Sequence, residues 1–127
     1  CQLLIRQEEI RQFQLAKGAL HAGAQCLLER AGLAPPALER VLLSGALGQA
    51  LAPQTLKSVA LLPEYMIKKV RFVGAGVLAG LGRLAVRPEG LAELDALRRA
   101  MRPYPLSGTP AFEQAFLAAL DFASGPA

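Results

Sequence analysis

The segment Ser44-Gly45-Ala46-Leu47-Gly48 follows directly on the apolar run Val41-Leu42-Leu43. A β-forming run that ends in small residues lets a ligand lie close against the backbone. In α/β proteins the carbonyl ends of parallel strands also open into a crevice at such a junction. Gly45 and Gly48 are three positions apart. That spacing fits neither the dinucleotide fingerprint nor the Walker loop, which need more glycines and, for the latter, a Lys-Ser/Thr pair. A tight turn out of a buried strand explains the same residues more plainly. A second small-residue junction, Gly74-Ala75-Gly76, follows Val70-Arg71-Phe72-Val73. Upstream, Gln14, Lys17 and His21 stand at i, i+3 and i+7, which places them together on one face of a helix. A solvent-facing stripe uses the same spacing.

Acid–base and metal chemistry are poorly served. Asp95 and Asp121 fall in helical patterns and Glu64 stands alone, so no residue is expected to act as a general base. Two cysteines and one histidine cannot build a zinc site or hold an iron–sulfur cluster by themselves. Cys26, beside Leu27 and Leu28, reads as a buried, reduced thiol, and Cys1 lies 25 positions before it.

The elements that must carry these residues follow from periodicity and punctuation. Ile10, Phe13, Leu20, Ala24, Leu27 and Leu28 recur at helical spacing and predict one long helix over Gln7 to Arg30. Gly32 supplies its end, and Pro35-Pro36 prevent continuation. Gly18 and Gly23, inside it, imply close approach by a neighbour. A strand is expected over Arg40 to Leu43, then a helix from Pro53 to about Ala60 ended by Leu61-Leu62-Pro63. A second strand spans Lys69 to Val73. The next helix, Gly76 to Val86, carries Ala79, Gly80 and Gly82 as a close-packing surface. Another runs from Pro88 and Glu89 to about Met101, with its basic end suited to the helix dipole. Tyr104-Pro105-Leu106 reads as a brief edge strand. Thr109 caps a final helix from Pro110 to Phe122, with Phe112, Phe116, Ala119 and Leu120 inward. Strands separated by helices imply parallel pairing, here in a sheet too thin for its helices. The missing strands are expected in a chain portion absent here or in a partner.

The 127 residues suit a single domain, and 53% hydrophobic with 19% charged residues excludes a disordered chain. Lys17, Arg30, Arg40, Lys57 and Lys68 interrupt every apolar stretch before it reaches membrane-spanning length. The net charge of +4 is scattered apart from Lys68-Lys69-Arg71 and Arg98-Arg99-Arg102, which read as solvated surface rather than a nucleic-acid patch. The chain begins without Met, and a fragment of a larger polypeptide is expected.

Four stretches in order now carry a resemblance. They are Glu9-Ile10-Arg11-Gln12-Phe13-Gln14-Leu15-Ala16-Lys17-Gly18-Ala19, Leu43-Ser44-Gly45-Ala46-Leu47-Gly48, Phe72-Val73-Gly74-Ala75-Gly76 and Leu106-Ser107-Gly108-Thr109-Pro110-Ala111-Phe112-Glu113. Together they resemble the C-terminal ATPase-like domain of proteins that join a [2Fe-2S] ferredoxin domain to an actin, sugar-kinase and heat-shock-type fold. Members include the reductive activators of corrinoid proteins. The resemblance implies an α/β, ribonuclease H-like, actin-type ATPase subdomain with a thin parallel sheet flanked by helices, spanning residues 1–127. It also implies a cytoplasmic protein that binds ATP and Mg²⁺ through its full length, with a [2Fe-2S] cluster in a domain absent from this chain. Gln14, Lys17 and His21 would flank adenine and ribose; Ser44, Gly45, Ala46, Gly48 and Gly74 would lie against the nucleotide. The implied partners are the rest of its own polypeptide, a corrinoid protein and a second copy in a homodimer, with neither nucleic acid nor membrane. The chain departs from the pattern in having Ala75 for Asn, Leu47 for an aromatic and Ala60 for a glycine. The parent would be an ATP-dependent activator of which this segment alone is not catalytic. A scaffold domain keeping the fold without nucleotide turnover is the alternative, and a sugar or small-acid kinase a third reading.

Overall fold

The computed structural model describes residues 4–45 and 50–122. Ala46, Leu47, Gly48 and Cys1 therefore lie outside the described residues. Helix α1 spans Gln7–Arg30, the bounds that periodicity predicts. Its start is closed by the Arg6 amide donating to Glu9 Oε2 at 2.8 Å, and Glu8 and Glu9 complement the helix dipole. At its far end Gly32 adopts φ +65°, and the Leu33 amide returns to the Leu28 carbonyl at 3.2 Å, a Schellman closure.

After a 3-10 turn at Pro35–Ala37, strand β1 covers Val41–Ser44. Helices α2 (Pro53–Ser58) and α3 (Glu64–Ile67) lead to strand β2, Val70–Val73. The strands pair in parallel, Val41 with Val70 through Ser44 with Val73. Helices α4 (Gly76–Val86), α5 (Gly90–Ala100) and α6 (Pro110–Ala118) complete the order. At α6 the Thr109 hydroxyl accepts from the Phe112 amide, as its position predicts.

The core lies on one face of the strand pair. Leu28 of α1, Leu56 of α2, Met66 and Ile67 of α3, Val70 and the linker residues Leu61 and Leu62 form it, with Val41 and Leu43 packed against it. Alternation along β1 then turns Leu42 to the opposite face, where it is 64% exposed. The N-terminal half of α1 is covered instead by α6: a Cβ on Gly18 would stand 3.2 Å from Leu120 Cδ2 and 3.4 Å from Phe116. The expected close approach at Gly18 and Gly23 is met, the latter by Leu106. Cys26 is buried, as its neighbours predict.

Several expectations change. Tyr104 to Leu106 forms no strand; Pro103 and Pro105 lack the amides a ladder needs, and β1 and β2 pair only with each other among the described residues. The last helix stops at Ala118 rather than Phe122, because the carbonyls of Ala119 and Asp121 turn toward Lys17. The one-turn helix α3 occupies residues between Pro63 and the second strand for which periodicity predicts no element. Gly80 and Gly82 face open space instead of a packed neighbour, and no α4 residue is buried.

The α4–α5 hairpin is closed by Glu93, which pairs with Arg87 at 2.8 Å and Arg83 at 3.8 Å. Gly90 is its tight point: a Cβ there would collide with the backbone of Leu84, its carbonyl oxygen first. Gly90→Ala should destabilise the fold by about 1–3 kcal/mol through overpacking. Urea unfolding of wild type and variant measures this, and equal midpoints would contradict the contact.

Candidate functional site

The parallel register places Ser44 beside Val73, so both chains leave the sheet at its carbonyl edge together. Gly45 follows with φ +109°, a left-handed conformation that a side chain rarely adopts. A Cβ built on it meets nothing within 4 Å among the described residues. The Ser44 hydroxyl donates to the Gly74 carbonyl at 3.3 Å and joins the two junctions. Gly76 fits beneath it, since a Cβ there would stand 2.7 Å from Ser44 Oγ. Ser44, Gly45 and Gly74 are thus brought together, and α4 begins at their edge.

Residue 75 is the N-cap of α4, and as Ala it makes no side-chain cap. The amides of the first turn have no partner inside a helix, so an oxygen acceptor at this position would satisfy one of them. The Gly76 amide turns back to the Gly74 carbonyl at 2.6 Å, so among the described residues the amides of Val77 and Leu78 are the ones left for an anion, the charge that a helix start favours.

The α1 residues part company. Lys17 is 1% exposed, and its ammonium donates to the Ala119 carbonyl at 2.9 Å and to the Asp121 carbonyl. It also stands 5.0 Å from the Phe122 ring centre. Burial pushes its pKa below the usual lysine range, against the opposing pull of Asp121. Gln14 borders a cavity of about 330 Å³ with Gln7, Arg11, Leu15, Leu120 and Asp121. His21 belongs to a third environment. Its Nδ1 lies 3.0 Å from the Ala60 carbonyl, so Nδ1 carries a proton and donates it. It borders a cavity of about 160 Å³ beside the Lys57–Glu64 ion pair, which spans 3.0 Å. None of the three makes a side-chain hydrogen bond to Ser44, Gly45 or Gly74 in the described residues.

Ala60 itself has φ +50°, an unusual state for a residue with a Cβ. Its amide bonds to Lys57 and the Leu61 amide to Leu56, which closes α2 by a left-handed cap. That geometry accounts for the glycine of the family pattern at this position. A larger apolar cavity, about 780 Å³, lies between α4 and α5 over Gly80, Leu84, Leu94 and Leu97, away from the glycine junctions.

Among the described residues no helix is long and apolar enough to cross a membrane, and no three His, Cys, Asp or Glu side chains gather as a metal set.

Comparison with known proteins matches residues 1–125 to the family model described as the C-terminal domain of RACo, the ASKHA domain. The chain belongs to this family. Its α/β architecture, a small parallel sheet with flanking helices, is that of an ASKHA domain portion. The chain is also 27% identical over 115 residues to the corrinoid activation enzyme RamQ of Eubacterium limosum. The match covers 91% of this chain and 19% of that relative, so the chain spans under a fifth of its length.

Two substitutions test the local geometry of this ASKHA domain. Ala60→Gly should stabilise it by about 0.5–1 kcal/mol, because relief of the left-handed strain exceeds the added freedom of the unfolded chain. Ala75→Asn should add about 0.5–1 kcal/mol by capping α4. Denaturant midpoints measure both, and a loss of stability at either site would refute the assigned cap.

Proposed function

We propose that this chain is the nucleotide-binding subdomain of an ATP-dependent, iron–sulfur-linked reductive activator of a corrinoid protein. The reading rests on one observation above others. Gly45 adopts a conformation that favours glycine, a Cβ on it would meet no described residue within 4 Å, and it follows Ser44, which bonds to Gly74 at the carbonyl edge of a parallel strand pair. Such an edge accepts a bound group in α/β proteins, and the amides of Val77 and Leu78, which no N-cap side chain takes, suit its phosphates. The name of the similar corrinoid activation enzyme supports the wider role. Ser44, Gly45, Ala46, Gly48 and Gly74 are assigned to the nucleotide, with Gln14, Lys17 and His21 toward its base and sugar.

The fit is selective. Main-chain amides and small residues suit a nucleotide, whereas a [2Fe-2S] cluster needs four ligands and this chain has two cysteines. The cluster therefore belongs elsewhere in the polypeptide, in a cytoplasmic protein that also meets its corrinoid partner and pairs with its own copy. Magnesium would arrive with the phosphates, since no carboxylate cluster awaits it among the described residues. ATP turnover needs groups that position a water, and those fall to the rest of the polypeptide.

A second reading, a scaffold domain without nucleotide turnover, draws on Lys17. Its ammonium is already satisfied by the end of α6. Calorimetric titration of the full-length protein with Mg-ATP separates the two, since absence of binding at millimolar nucleotide would leave only the scaffold.

The sharper test is Gly45→Val in the full-length protein. Nucleotide affinity should fall more than about tenfold, or about 1.4 kcal/mol, while circular dichroism retains most helix signal. Melting temperature measured alongside distinguishes lost binding from lost fold. A folded variant with unchanged affinity would end the claim that this turn holds a ligand.

A further inference from the structure

The ammonium of Lys17 is held by groups weaker than those it could hold. Two neutral carbonyls, of Ala119 and Asp121, and the face of Phe122 stand around it, and no carboxylate of the described residues lies within ion-pair reach. Hydrogen bonds in which both partners are ionised exceed those to neutral carbonyls. The clasp is nonetheless built to close. Phe122 stacks on Phe13 with ring centres 6.2 Å apart, and Gly18 lets Leu120 and Phe116 settle against α1.

The clasp is also a wall. Leu120 and Asp121 line the cavity of about 330 Å³ that Gln7, Arg11, Gln14 and Leu15 also border. Gln14 stands one helical turn before Lys17 on α1, and Leu120 and Asp121 belong to the segment that holds the ammonium. Arg11 and Gln14 offer a cation and an amide to an incoming oxygen-rich ligand, and moving the segment adds the buried ammonium to that set.

We propose that residues 119–122 are an internal competitor for Lys17. A nucleotide that enters beside Gln14 takes the ammonium from the two carbonyls and releases the end of α6. Nucleotide occupancy is thereby converted into freedom of the C-terminal segment. The proposal rests on the nucleotide reading above and concerns its regulation.

Full-length protein is the material for the test, with Mg-ATP as the probe. Amide exchange across 119–122 should rise when Mg-ATP is added. Phe122→Ala, which removes both the ring face over Lys17 and the stack on Phe13, should tighten Mg-ATP binding about three- to tenfold. The gain should vanish when Lys17→Ala is combined with it. Phe122→Leu keeps the apolar volume without the aromatic face and serves if the alanine variant does not fold. Mg-ATP binding with unchanged exchange and no tightening in the Phe122 variants would overturn the competition and leave the nucleotide reading standing. Failure of both wild type and variants to bind would remove the nucleotide reading, and the competition with it.

Discussion

The four-residue ladder that sets Val41 against Val70 and Ser44 against Val73 constrains most of the remaining architecture. Parallel strands cannot be joined by a hairpin, so α2, α3 and their linker must cross between them. Those elements bring Leu56, Leu61, Leu62, Met66 and Ile67 over one face, where Leu28 of α1 closes the core. The same register sends both strands out at the carbonyl edge side by side. Ser44 can then bond to Gly74, and the two glycine junctions become one surface. A shift of one residue would turn Val41 and Leu43 away from the core.

That arrangement covers the sheet on one side. Parallel sheets are normally covered on both, whereas Leu42 on the outer face is 64% exposed. Helix α4 carries the same message: Val77, Leu78, Leu81 and Val86 are exposed, and Gly80 and Gly82 meet no neighbour. A helix this apolar, with Arg83 its one charged residue, is at home inside a larger fold. The short span of the chain relative to its corrinoid-activating relative agrees with that physical demand.

The polar residues of α1 show how environment divides a single helical stripe. Gln14, Lys17 and His21 share periodicity, yet the segment after α6 holds Lys17, a cavity borders Gln14, and the end of α2 engages His21. Desolvation of a lysine is costly unless its protons are satisfied, and the carbonyls of Ala119 and Asp121, just beyond α6, meet that need. The contact ties helices at opposite ends of the sequence and makes α6 part of the surroundings of the site.

Local chemistry made much of this legible in advance. The 24 residues of α1, the bounds of α4, the Pro53 and Thr109 helix starts and both strands follow from periodicity and capping, which act over a few residues. The glycine junction at Ser44-Gly45 was readable because left-handed backbone near a strand end selects glycine. What the sequence could not determine were the long-range partners. Tyr104 to Leu106 has strand-like residues but finds no edge, Gly80 and Gly82 have a packing surface but no neighbour, and Ala60 holds a conformation its residue type disfavours. Lys17 is the clearest case. Its spacing shows only that it shares a helical face; burial beneath Ala119 to Phe122 depends on where α6 docks, 102 positions away in sequence. Only the tertiary structure brings those groups together, because an ammonium takes its partners from space and not from its neighbours in the chain.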